Sequence, residues 1–284
     1  VLDMLRPVSF LSDLAHTPEH IGVVHGVIAR IDPGVSVIDV THDIERGNVR
    51  AGALALLRTV QYMPHGVVLG YVMPTVSRLI AARTPAGFFV GPDNGLLAPA
   101  VAMVGGADMI VALESEDFRI PSSGASLTVR DIVAPAAAAL ACGQAEITDL
   151  GPTRDPESVN PLILPLVEHS DRAVVGEILW VDGHGTAQSN VSPEDRALVG
   201  ITEGDDAIMR VGAVEHLISW RNDSAQVSEG EGRLFVDPFG QIAIDVRNGS
   251  ATESYPLDER VAVTFLKPDA GAQVSLTGLL RSSE

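Results

Sequence analysis

One cysteine, Cys142, serves a chain of 284 residues, which excludes an internal disulfide and any multi-cysteine metal site. Its neighbours, Ala137 to Ala141 and Gly143, read as a helix end with a small core thiol, a catalytic thiol being the alternative. Lysine is nearly absent: Lys267 is the single one among 19 basic residues, against 37 acidic ones, for a formal charge of -18. A polyanion would meet net repulsion, and no basic run carries interleaved aromatics, so nucleic-acid binding is excluded. The acidic excess reads as a solubility property. Long apolar runs are missing too. Residues 66–73 and 132–143 fall far short of the roughly 20 residues of a membrane-spanning helix. No positively charged leader precedes an apolar run, and a cytoplasmic protein without membrane contact is expected. With 46% apolar residues, the chain has the means to build two ordinary domain cores.

The first half alternates strand-like and helix-like segments. Val8 to Leu11 reads as a strand, and a helix follows from about Pro18 to Arg30 with Thr17 as its N-cap. Asp32-Pro33-Gly34 is a turn. Strands are expected at Val35 to Val40 and Val67 to Val72, with a helix from about Val49 to Tyr62 between them. Leu79 to Arg83 and Phe88 to Val90 read as a hairpin, and a last helix spans about Asp131 to Cys142. Strands joined by crossover helices imply a mostly parallel sheet covered on both faces. Four prolines between Gly151 and Pro165 mark a linker. Beyond Val174, short alternating segments at 176–181, 206–211, 233–236, 242–246 and 261–266 suggest a small β-barrel or sandwich. The expectation is an α/β domain over 1–165 and a β-barrel domain over 172–284.

Several familiar chemical signatures are absent: no phosphate-binding glycine loop, no Gly-x-Ser-x-Gly elbow and no His-Glu-x-x-His helix. His16, His20 and His25 cluster near the first helix and read as surface and helix-face histidines, with a metal site as the alternative. Ligands of parallel sheets sit beyond the carboxyl ends of the strands. That rim carries Asp13, the His42-Asp43 pair, the Met73-Pro74-Thr75 corner and the Gly91-Pro92-Asp93-Asn94-Gly95 turn. Asp13 is placed either to accept two hydrogen bonds from vicinal hydroxyls, as on a ribose, or simply to cap the next helix.

Five segments now occur in order: Phe10-Leu-Ser-Asp-Leu14, His25-Gly26-Val27, Val37-Ile-Asp-Val-Thr-His-Asp-Ile44, Gly91-Pro-Asp-Asn-Gly-Leu-Leu97 and Arg130-Asp-Ile-Val-Ala-Pro135. With Asp182-Gly-His-Gly185, Ser189-Asn190 and Asn248-Gly-Ser-Ala251, they resemble the S-adenosylmethionine hydroxide adenosyltransferase family, which also holds fluorinases and chlorinases. The resemblance covers almost the whole chain. It implies a seven-stranded α/β domain, a β-barrel and a homotrimer whose site lies between one subunit's first domain and its neighbour's second. It also implies displacement at the ribose C5′ of S-adenosylmethionine by water or halide, with methionine released and no metal or prosthetic group.

Carried over residue by residue, Asp13 matches the ribose-binding carboxylate and Asp182 a carboxylate that meets the methionine part. The hydrolases carry an aspartate where Met73 stands, within the Met73-Pro74-Thr75 corner of the site, and a histidine where Thr128 stands. Arg78 matches an arginine that follows the corner, so Arg78 and Thr128 are the expected water-positioning residues. Val129 occupies the halide-holding position, Thr186 replaces the adenine-binding asparagine, and Gln188 replaces a halogenase tryptophan. Three functions follow from this pattern. The first is hydrolysis of S-adenosylmethionine to adenosine and methionine. The second is a repurposed protein that binds another small molecule, for a cyclisation or as a non-catalytic binder. The third is halide-dependent displacement, against which the losses at Met73 and Val129 weigh most.

Overall fold

Short aliphatic runs and amphipathic helices alternate through the first of two units, which part between Ile163 and Leu164. The computed structural model describes residues 5–72 and 78–268, so Met73 and Thr75 lie outside the described residues. The strands of the first unit are β1 (Val8–Ser12), β2 (Val37–Thr41), β3 (Gly66–Tyr71), β4 (Leu79–Thr84), β5 (Gly87–Pro92), β6 (Met109–Ala112) and β7 (Thr153–Arg154). They form one sheet in the order β2-β1-β3-β5-β4-β6-β7. β2, β1, β3 and β5 pair in parallel, while β4 pairs antiparallel with both β5 and β6. β1 and β3 are buried along their whole length, as expected of central strands covered on both faces.

Helices α1 (Glu19–Ile31) and α4 (Ala134–Ala141) cover one face with Val24, Val27, Ile28 and the alanines 136–139. The other face packs against α2 (Val49–Thr59) and α3 (Ala98–Met103), around Leu11, Leu56, Val72 and Leu97. Thr17 does not cap α1. Pro18 already has φ -61° and ψ -24° and takes the cap position with no side-chain bond, leaving Thr17 to contribute only its carbonyl to the His20 N–H. Asn48 does cap α2, accepting from Ala51 N at 3.1 Å. β5 runs on through Pro92, so the expected Gly91–Gly95 turn begins only at Asp93.

Gly91 sits where β5 passes close against β3. A Cβ there would lie 2.1 Å from the Gly70 carbonyl oxygen, a backbone atom with no room to give. Gly91→Ala is expected to destabilise the protein by about 1–3 kcal/mol, the usual cost of overpacking. Thermal unfolding reads this directly, and an unchanged Tm would mean that the two strands separate without cost.

The second unit is a strand ring. It contains β8 (Glu168–His169), β9 (Ala173–Val181), β10 (Ala187–Ser189), β11 (Asp206–Val211), β12 (Val214–Trp220), β13 (Gly232–Val236), β14 (Ile242–Val246) and β15 (Ala262–Leu266). The order β10-β14-β13-β12-β11-β15-β9 closes because β9 also pairs with β10, and β8 extends one edge of β9. Seven strands thus form a closed barrel around Trp220, Phe265, Met209 and Ile244. Two short helices, α5 (Pro193–Leu198) and α6 (Ala251–Ser254), complete it. β8, β10 and β12 are absent from the strands expected from sequence.

Candidate functional site

Asp13 leaves the end of β1 buried, with 4% of its surface exposed. It stands ahead of a 3-10 turn, Leu14–His16, but its side chain makes no cap bond. Instead Oδ2 accepts the Gly47 N–H at 2.9 Å, across from the loop that follows β2. The capping alternative therefore fails, and the carboxylate is fixed at the strand-end rim by a partner 34 residues away. Its own N–H donates to the Tyr71 carbonyl at 3.2 Å, tying the ends of β1 and β3 together.

Tyr71 escapes sequence reasoning. It is 1% exposed, and its phenol lies beside the Thr128 side chain and near the Asp13 charge. Burial raises its pKa above the usual 10.0 and the Asp13 charge adds to this, against a smaller opposing effect from Thr128. The phenol therefore stays protonated at neutral pH. The available signal was a lone aromatic at the end of an aliphatic strand.

Thr128 is held from behind by an unusual helix start. Residues Val129–Val133 form a π-helical turn leading into α4. Pro135 has no N–H to give the Asp131 carbonyl four residues back, and the Ile120 N–H fills that place at 2.9 Å. Such widened turns recur at functional sites. The Asp131 carboxylate gathers the loop around it, accepting from Leu127 N at 2.8 Å, Ser126 Oγ at 3.0 Å and the Arg130 guanidinium. The Arg130 hydrogen bond is the main reason its pKa falls below the usual carboxylate range, against the opposing effect of burial. Val129 is fully buried in the same core cluster as Tyr71.

A depressed carboxyl pKa adds stability that is complete above the unfolded value of about 3.9 and disappears as pH falls through the folded value. Asp131→Asn is therefore expected to lower Tm at pH 7 and to flatten the loss of stability below about pH 4. Calorimetry across pH 2–7 checks this, and a variant with the wild-type acid limb would contradict it.

Arg78 lies just before β4. Its guanidinium donates to Asp93 Oδ2 through Nη2 at 2.6 Å and Nε at 3.2 Å, and to the Ser158 carbonyl at 3.0 Å. The Asp93 side chain is fully buried while that of Arg78 is 48% exposed, so the cation reaches from solvent to neutralise a buried anion. Asp93 Oδ1 also accepts the Asn160 N–H at 2.8 Å, and Asn94 reaches back to the Val72 carbonyl. The Gly91–Leu97 motif thus lies beside the ends of β3 and β5, on the same rim as Asp13.

Asp182 and Thr186 belong to the second unit and share one turn. Asp182 Oδ1 accepts from His184 N at 2.8 Å and Thr186 N at 2.9 Å. Gly185, at φ 79°, presents its carbonyl to Ala251 N, so the Asp182–Gly185 and Asn248–Ala251 motifs meet there. Gln188 is buried and donates to Asp237, just past the end of β13. Among the described residues no group of three or more His, Cys, Asp or Glu is arranged to hold a metal ion. No helix among them is long and apolar enough to cross a membrane.

The family model described as the SAM hydroxide adenosyltransferase N-terminal domain matches residues 8–151. The chain is 36% identical over 254 residues to the (R)-S-adenosyl-L-methionine hydrolase of Salinispora tropica, covering 87% of this chain and 92% of that one. It is 40% identical over 249 residues to the protein of the same name from Salinispora arenicola, with the same coverage. Among solved structures, an uncharacterized conserved protein from Thermotoga maritima superposes with a TM-score of 0.84 at 27% identity, covering 92% of this chain and 100% of that one.

Proposed function

Because this chain belongs to the S-adenosylmethionine hydroxide adenosyltransferase family, we propose that it hydrolyses S-adenosylmethionine to adenosine and methionine. Water forms a bond to the ribose C5′, the C5′–sulfur bond breaks, methionine leaves as a neutral thioether, and the water gives up one proton. The observation that carries this reading is Asp13: a buried carboxylate, fixed from behind by Gly47 and not used as a helix cap. A carboxylate so held accepts both hydroxyls of a ribose.

The leaving group is already cationic, so the displacement spreads an existing positive charge from sulfur towards the attacking water, which sheds it as a proton, and a site of low polarity does not oppose it. The protein's task is to place the nucleophile in line and keep other water away. Thr128, backed by the Tyr71 phenol, offers a fixed hydroxyl for that water, with Arg78 as the second positioning group. Met73, Thr75 and Val129 line the reacting centre in this reading. Asp182 meets the methionine part and Thr186 the adenine, supplied by a neighbouring subunit of a homotrimer. The reaction needs neither a metal nor a prosthetic group.

The two Salinispora relatives are named for the (R) sulfonium epimer, so the test offers both epimers. Purified protein is incubated with each, beside Asp13→Ala, while adenosine and methionine are followed by mass spectrometry. Equimolar adenosine and methionine, lost in the variant, are expected. Absence of both products with either epimer would refute the hydrolase.

A further inference from the structure

Ser12, His42, Asp39 and His25 line up in a chain of polar contacts beside Asp13. Ser12 Oγ is 2.7 Å from His42 Nδ1. Asp39 Oδ1 lies 3.0 Å from His42 Nε2 and 2.8 Å from His25 Nε2. The His25 contact is a hydrogen bond, whereas His42 Nε2 faces the carboxylate off its N–H axis, at contact distance only. Phe10 packs edge-on to the His42 ring with centroids 4.5 Å apart.

A Ser-His-Asp order invites a nucleophile, but this geometry does not supply one. Ser12 is wholly buried, so no substrate carbon reaches its Oγ. That Oγ also accepts the Leu14 N–H at 3.3 Å, which bends the chain directly after Asp13. The His42 carbonyl accepts the Ala15 N–H at 3.0 Å, so backbone and ring of one residue brace both ends of the same corner. With a carboxylate facing Nε2, the ring proton belongs on Nε2, and Nδ1 accepts the Ser12 hydroxyl. Ser12 then donates to His42 and accepts from Leu14, which fixes its rotamer.

We infer that His42 is a positioning residue, which acts through Ser12 to hold the Asp13 corner in the geometry that grips the substrate's ribose. Asp39 orients the ring, and His25 holds Asp39 from α1. The inference rests on the ribose-binding reading of Asp13 for its effect on catalysis, but its structural half stands on the protein alone.

Three variants of the full chain separate the possibilities. His42→Phe keeps a ring against Phe10 and removes the acceptor. Ser12→Ala removes the donor. His42→Asn restores an acceptor close to the place of Nδ1. Two readouts are taken: hydrogen exchange of the Gly47 and Leu14 amides, and KM and kcat for S-adenosylmethionine. His42→Phe and Ser12→Ala are expected to speed exchange at both amides by about 10-fold, the order of one lost hydrogen bond. KM should rise by a similar factor with kcat little changed, and His42→Asn should recover most of both. Unchanged exchange at Gly47 in His42→Phe would overturn the inference whatever the kinetics show. A wild-type protein that does not bind S-adenosylmethionine would overturn the hydrolase reading, while the exchange data would still decide the role of His42.

Discussion

Asp13→Asn should lower kcat/KM for S-adenosylmethionine by about 100-fold or more while leaving Tm nearly unchanged. The asparagine oxygen can still accept the Gly47 N–H that now reaches Oδ2, so the local backbone keeps its tie. What disappears is the negative charge that would take two ribose hydroxyls. Hydrogen bonds to a charged partner are each worth about 1.5–3 kcal/mol, and 1.4 kcal/mol is tenfold in affinity. Initial rates at low substrate, beside a thermal melt, measure both quantities. A large fall in Tm would show Asp13 to be a structural carboxylate. Unchanged kcat/KM would remove it from the site.

The reverse experiment has an effect of comparable size. The resemblance puts an aspartate and a histidine of the hydrolases where this chain has Met73 and Thr128, and neither a thioether nor a hydroxyl takes a proton from water at neutral pH. General-base assistance contributes roughly 100- to 10,000-fold. The double variant Met73→Asp with Thr128→His is accordingly expected to raise kcat by about 100-fold or more at saturating substrate. Thr128 is a favourable place for the histidine, since the Tyr71 phenol lies beside its side chain and could orient an imidazole. An unchanged kcat would mean that water activation does not limit this protein, and that Tyr71 and Thr128 meet the need as they stand.

The alternation of strands and helices in the first half, and the change to short strands after it, were legible because hydrophobic period and turn residues are local signals. Val8–Ser12 and Asp206–Val211 stand almost where expected. β12 was missed although Gly212, at φ 60°, links it to β11 in a tight hairpin. Its first four residues lack the buried alternation that marks a strand. The π-helical turn at Val129–Val133 was also hidden, because the bond that completes it comes from Ile120, outside the helix. At the site, Asp13 stood out by position and Thr128 through the family resemblance. The His42-Asp43 pair was placed on the same rim, but Gly47 and Tyr71 were not picked out, since each matters only through a partner that lies far off in sequence.

The closed ring of the second unit bears on how this protein fails when heated. A strand ring whose first and last members bond to each other leaves no row of open N–H and C=O groups for another chain to extend. The sheet of the first unit has two such margins, β2 and the two-residue β7. β2 carries the exposed Ile38 and is longer. Self-association through strand addition should therefore begin at β2 in the first unit, and a charge at Ile38 is where it would be stopped.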